Sequence, residues 1–146
     1  MTALSRVAWA TALALSIAAA APAEPLQPAR VTPDELTWRP AWTGAQFAVL
    51  VGHPEVAGIY VICMRFPAGF RNQPHFHSDV RIGTILSGTL LVGYGEQFDE
   101  STMKALPPGG MFTEPARQPH FVWAKDGEVV VQIVGRGPSA TTWSHR

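Results

Sequence analysis

From Phe47 to Pro138 the chain is interrupted again and again by a break that carries Gly or Pro. The breaks are Gly52-His53-Pro54-Glu55, Pro67-Ala68-Gly69, Ser87-Gly88, Pro107-Pro108-Gly109-Gly110, Pro115 to Pro119, Lys125-Asp126-Gly127 and Gly135-Arg136-Gly137-Pro138. Pro removes a backbone donor and Gly weakens a helix interior, so no long helix can run through such punctuation. The runs between the breaks are short and rich in β-branched and aromatic residues: Phe47 to Val51, Gly58 to Phe66, Ile82 to Leu86, Thr89 to Tyr94, Met111 to Glu114, His120 to Ala124 and Val129 to Val134. They read as strands, with Leu36 to Arg39 as a short edge strand. Ser87-Gly88 and Lys125-Asp126-Gly127 carry hairpin chemistry. Thr32 to Glu35 reads as a turn or brief helix start, and Glu96 to Lys104 as a loop or one helical turn. Nowhere after residue 23 does a sustained 3.6-residue period appear. The expectation is an all-β fold, a closed or sandwiched antiparallel sheet without internal repeats.

The chain begins differently. Arg6 is followed by an apolar run from Val7 to Ala20 and by Ala21-Pro22-Ala23, a small-x-small site. That is the pattern of a secretory signal peptide over residues 1–23, with an extended, Pro-rich lead-in over 24–35 and one domain over 36–146. The protein is therefore expected in the periplasm or outside the cell, with no membrane span after cleavage. About 120 residues make one core and not two. Without Arg6 the eleven basic residues become ten, against eleven acidic ones, with no basic stripe, so nucleic acid is a poor partner. Cys63, the one cysteine, can form no internal disulfide and is expected to be packed in the core.

His75 and His77 lie one residue apart behind Pro74 in a chain with five histidines. On a strand, residues i and i+2 face the same way, so the two imidazoles can aim at one point. That is a geometry for a metal ion. Taken alone, the same pair is often only polar surface.

A second set of residues makes the pattern specific. Gly69, then His75 and His77, then Arg81 and Gly88 resembles the first motif of the cupin superfamily, although the position of Arg81 is normally Glu. Gly109, Pro115, Arg117 and His120 resembles the second motif, where Arg117 is normally Gly and Ala124 normally Asn. The resemblance implies a double-stranded β-helix, or jelly-roll, barrel. It also implies that His75, His77 and His120 converge on a divalent metal ion: iron, manganese, nickel, copper or zinc. The ligand would be a small, anionic or chelating organic molecule, and two copies of the chain would pair through outer strands.

Arg81 breaks the motif where the carboxylate ligand belongs. A guanidinium about 4 Å from a divalent ion costs roughly 8 kcal/mol at an effective dielectric of 20. Arg81 must then turn away, pair with a carboxylate, or wait for an anion. Asp79 and Glu114 are each a candidate replacement ligand or partner for Arg81. In a metal-dependent oxidoreductase of dioxygenase type, or a lyase or isomerase, Arg81 would orient a substrate carboxylate and Glu114 or Asp79 would serve as base or fourth ligand. A binding module with the same three histidines and no catalysis is the alternative. Phe121 and Trp123 are expected to face away from His120 against an outer strand or a second subunit. Tyr60, Met64, Phe66 and Met111 are expected to fill the barrel.

Overall fold

The computed structural model describes residues 25–144, so the signal segment expected over residues 1–23 lies outside the described residues. Eleven strands follow in order: β1 (Arg39–Pro40), β2 (Gln46–Val51), β3 (Gly58–Phe66), β4 (His75–His77), β5 (Arg81–Ser87), β6 (Leu90–Tyr94), β7 (Lys104–Leu106), β8 (Met111–Glu114), β9 (His120–Trp123), β10 (Val129–Gly137) and β11 (Thr141–Trp143). The only helical elements among the described residues are 3-10 turns at Pro33–Glu35, Trp42–Gly44 and Glu100–Thr102. No described helix is long and apolar enough to cross a membrane.

The strands form two antiparallel sheets, six-stranded β1-β2-β3-β10-β5-β8 and five-stranded β11-β4-β9-β6-β7. Alternation decides which side chains face inward. Along β3, Tyr60, Ile62, Met64 and Phe66 are buried, and along β10 Val129, Val131 and Ile133. They meet Leu90, Val92 and Val122 of the other sheet in one continuous core. Each fully buried aliphatic or aromatic side chain contributes roughly 1.5–3 kcal/mol, which holds the two layers face to face. Cys63 is buried as expected, and burial raises its thiol pKa.

The sequence expectations need several corrections. Ser87-Gly88 is not a hairpin: β5 pairs with β10 and β8, whereas β6 pairs with β7 and β9. Lys125-Asp126-Gly127 is likewise a crossing, from β9 in one sheet to β10 in the other. A jelly roll sends consecutive strands to opposite layers, so turn chemistry alone does not reveal the partner. Gly88 stands at φ 73°, and a Cβ there would run into the Glu128 carbonyl and lie 3.0 Å from Val129 Cα. The edge strand lies at Arg39–Pro40 rather than over Leu36 to Arg39, and β7 and β11 were not foreseen. Met111 is exposed, because β8 turns Phe112 and Glu114 inward. Phe121 and Trp123 pack on Phe98 of the same chain, at 4.9 and 6.1 Å between ring centroids.

Candidate metal centre

Two transverse rows of residues build the site. In an antiparallel sheet, directly opposed residues share a face. On the five-stranded sheet, Trp143, His75 and His120 stand in register across β11, β4 and β9. His77, two residues beyond His75, is opposite Thr141. On the six-stranded sheet, Tyr60, Gly135, Arg81 and Glu114 stand in register across β3, β10, β5 and β8. Tyr94 ties the layers at one edge, donating to the Thr113 carbonyl at 2.7 Å.

The three imidazoles converge: one ring nitrogen of each of His75, His77 and His120 lies within 4.8 Å of the others, and all three residues are buried. Their far nitrogens are held. Nδ1 of His75 faces the Gln73 carbonyl at 3.0 Å and Nδ1 of His120 the Gln118 carbonyl at 3.1 Å. A carbonyl only accepts, so Nδ1 carries the proton and Nε2 presents its lone pair. Nδ1 of His77 meets the Thr141 hydroxyl at 3.0 Å, which can hold the same tautomer. Outer partners of this kind orient imidazoles that bind a metal.

Glu114 supplies the carboxylate. Its oxygens lie 3.2 Å from His120 Nε2 and 3.5 Å from His77 Nε2. His120 Nε2, which faces Oε1, and Glu114 Oε2, which faces His77 and Arg81, are each buried without a hydrogen-bond partner. Lone pairs facing one another out of water are costly unless a cation lies among them. Protons on His75 and His77 are a poor source of that charge. Burial, then repulsion from His120, lowers the His75 pKa to about 4. Burial, then the Arg81 charge, lowers that of His77 to about 3. For Glu114, burial acts upward, yet His120, His77 and Arg81 together bring its pKa down to about 2. Three imidazoles and an ionised carboxylate are a donor set that fits a divalent first-row metal ion.

Arg81 takes the second of the options open to it and pairs with carboxylates. Its Nε lies 3.4 Å from Asp79 Oδ1, its Nη1 3.8 Å from Glu114 Oε2, and its Nη2 donates to the Ser139 hydroxyl. Asp79 is engaged there and with Tyr60, whose hydroxyl donates to Oδ2 at 2.6 Å, so it braces Arg81 and stands apart from the imidazoles. Burial, then that bond, raises the pKa of the Tyr60 hydroxyl. Arg81 and Glu114 are direct cross-strand partners. The carboxylate missing from position 81 therefore stands one strand away, at the same level of the barrel. Arg117, where the motif normally has Gly, adopts φ 61°, and its amide donates to the His77 carbonyl at 2.8 Å. Left-handed backbone costs a side chain roughly 1–2 kcal/mol, which explains why glycine suits this turn.

Buried histidines with lowered pKa values link stability to pH. The unfolded chain binds protons on His75 and His77 near pH 6.5 and the folded chain only near 4 and 3, so acid favours unfolding. The melting temperature of metal-free protein is expected to fall as pH drops from 6.5 toward 4, and calorimetry across that range checks it. A flat profile would mean that the imidazoles are not buried neutral.

The fold and the site define a class: a jelly roll with a three-histidine, one-carboxylate cluster in its interior. Solved structures agree on the fold. A polyketide cyclase, RemF, from Streptomyces resistomycificus matches at TM-score 0.64 and 16% identity, covering 77% of this chain and 84% of that one. A sugar phosphate isomerase of the cupin superfamily from Silicibacter pomeroyi matches at TM-score 0.61 and 16% identity, covering 81% and 83%. KdgF from a Halomonas species matches at TM-score 0.61 and 21% identity, covering 76% and 96%. The chain has the cupin fold, as its two motifs imply. No protein-family model matches it, and no curated protein does.

Several site residues had no motif to announce them. Ser139 and Thr141 follow the Gly137-Pro138 break, which closes the last strand expected from the sequence. Thr141-Thr142-Trp143 is nonetheless a β-prone run after a turn, and that signal was available. Tyr60 was expected in the core, and nothing in the sequence tied it to Asp79.

Proposed function

We propose that this chain holds a divalent transition metal on His75, His77, His120 and Glu114 and uses it on a small organic acid bound beside it. The observation that carries the reading is that His120 Nε2 and Glu114 Oε2 are each buried without a hydrogen-bond partner beside three converging imidazoles. When bound, the ion would supply Lewis acidity toward substrate oxygens. Iron, manganese, nickel, copper and zinc all suit the donor set. Glu114, held ionised with a pKa of about 2, is better suited to holding a cation than to removing a proton. Arg81, braced by Asp79 and Ser139, would orient the substrate carboxylate. An interior cavity of about 410 Å³ adjoins His75, His77, Arg81 and Glu114, a size suited to a small molecule.

The catalytic reading places the protein among oxidoreductases of dioxygenase type, lyases or isomerases. The binding-only reading keeps the same site without turnover. The proposal includes export, supported by the pattern over residues 1–23, with cell fractionation as its test. It also includes a homodimer, supported by Ile59, Ile82 and Met111 exposed on the six-stranded sheet, with sedimentation as its test. Metal analysis of the purified protein decides the central claim. Stoichiometric metal is expected in the wild type and its loss in His75→Ala; an equal metal content in both would overturn the reading.

A further inference from the structure

We infer that the ligand of this site is a monocarboxylic acid with an apolar body, and that it binds only when the metal is present. The inference rests on the metal reading above and adds the ligand's chemistry. Two features carry it, the order of residues along the strands and the sum of charges at the site.

Moving two residues along the strands from the Arg81 row, the next inward row is Ile62, Ile133, Gly83 and Phe112 in register. Two residues further come Met64, Val131 and Ile85. Successive rows are separated by roughly 7 Å, two strand residues. Ile62, Met64, Phe66, Phe112, Val122 and Ile133 all line the cavity that reaches Arg81 and Glu114. A ligand there has a charged head at one level and hydrocarbon walls at the next.

Several polar groups around the cavity are already engaged. The Ser139 hydroxyl accepts from Arg81, the Thr141 hydroxyl meets His77 Nδ1, and Asn72 Oδ1 accepts from the Val122 amide at 2.7 Å. A polyol or sugar phosphate would bury hydroxyls against walls without partners for them, which is unfavourable. An aliphatic or aromatic body brings no polar group of its own that needs a partner there.

Charge fixes the head group. Asp79 and Glu114 surround the single guanidinium of Arg81, so the formal charges of these three side chains sum to one net negative charge in the metal-free site. Glu55, the other acidic residue lining the cavity, is exposed and screened by water. A divalent ion converts the site to one net positive charge, and one carboxylate neutralises it. A dicarboxylate restores the negative excess in a buried place. Arg81 Nη1, 3.8 Å from Glu114 and too far for a hydrogen bond, is the guanidinium edge open to the carboxylate.

The test uses the purified chain loaded with zinc, with zinc content measured on every sample, and the same chain stripped by chelator. Phenylacetate, hexanoate, succinate, glucose 6-phosphate and 2-phenylethanol are titrated by calorimetry. Phenylacetate or hexanoate is expected to bind the zinc form at least tenfold tighter than the stripped form, and at least tenfold tighter than succinate, glucose 6-phosphate or 2-phenylethanol. Arg81→Met is expected to weaken the acid at least tenfold per zinc-loaded molecule, with Arg81→Lys recovering part of the loss. Zinc uptake with succinate or glucose 6-phosphate preferred, with no acid bound, or with equal acid binding in the stripped form overturns this inference alone. Failure to take up zinc overturns the metal reading and this inference with it.

Discussion

Glu114→Gln is expected to strip the purified protein of stoichiometric metal, lowering affinity about a hundredfold or more, and Arg81→Glu added to that variant is expected to bring the metal back. The two residues face each other across β5 and β8, and their side chains enter the interior at the same level. Glutamine keeps the shape of Glu114 and removes its charge. What remains is three imidazoles beside a guanidinium paired only with Asp79, and a charge about 4 Å from a divalent ion is worth roughly 8 kcal/mol at an effective dielectric of 20. The double variant replaces that guanidinium by a carboxylate at the position where the cupin motif has one. Metal titration of the wild type, the single variant and the double variant measures both steps. Wild-type affinity in Glu114→Gln would show that this carboxylate is not a ligand. A double variant no better than the single one would show that position 81 does not reach the ion.

Gly135→Ala should be the most damaging small substitution near the site. Gly135 lies between Tyr60 and Arg81 in the transverse row, and a Cβ there would collide with the Tyr60 hydroxyl and ring and come within 2.8 Å of Asp79 Oδ2. The ring crosses this position to deliver its hydroxyl to Asp79, which in turn braces Arg81. Overpacking of this kind costs about 1–3 kcal/mol, and loss of a hydrogen bond to a charged acceptor about 1.5–3 kcal/mol. Denaturant unfolding should therefore show Gly135→Ala destabilised by at least about 2 kcal/mol. In a Tyr60→Phe background the same substitution should cost less, because the clash and the hydrogen bond share the hydroxyl. Additive costs would mean that Tyr60 does not lie over Gly135.

The strands that carry both motifs were legible because their signals are local. Gly58 to Phe66 and Met111 to Glu114 were read with the bounds they have as β3 and β8, since apolar runs closed by Gly and Pro leave little choice. The two supposed hairpins were misread for a related reason. Ser87-Gly88 and Lys125-Asp126-Gly127 do reverse the chain, but a turn does not say whether the next strand joins the same sheet or the facing one. Met111 was misplaced because the parity of a four-residue strand is set by what packs beneath it, here Phe112 and Glu114.

By itself the sequence determined the all-β architecture, the cupin fold and the identity of the three histidines that meet in its interior. It did so because period-two alternation is a property of the chain itself, and because the two motifs that carry His75, His77 and His120 resemble those of the cupin superfamily. It could not choose between Asp79 and Glu114. Asp79, two residues from Arg81 and from His77, is the nearer in sequence, yet it pairs with Tyr60 and Arg81. Glu114, thirty-three residues beyond Arg81, stands beside His77 and His120. Only the register of β5 against β8 decides that, and register is fixed by the packing of the whole barrel rather than by either strand alone.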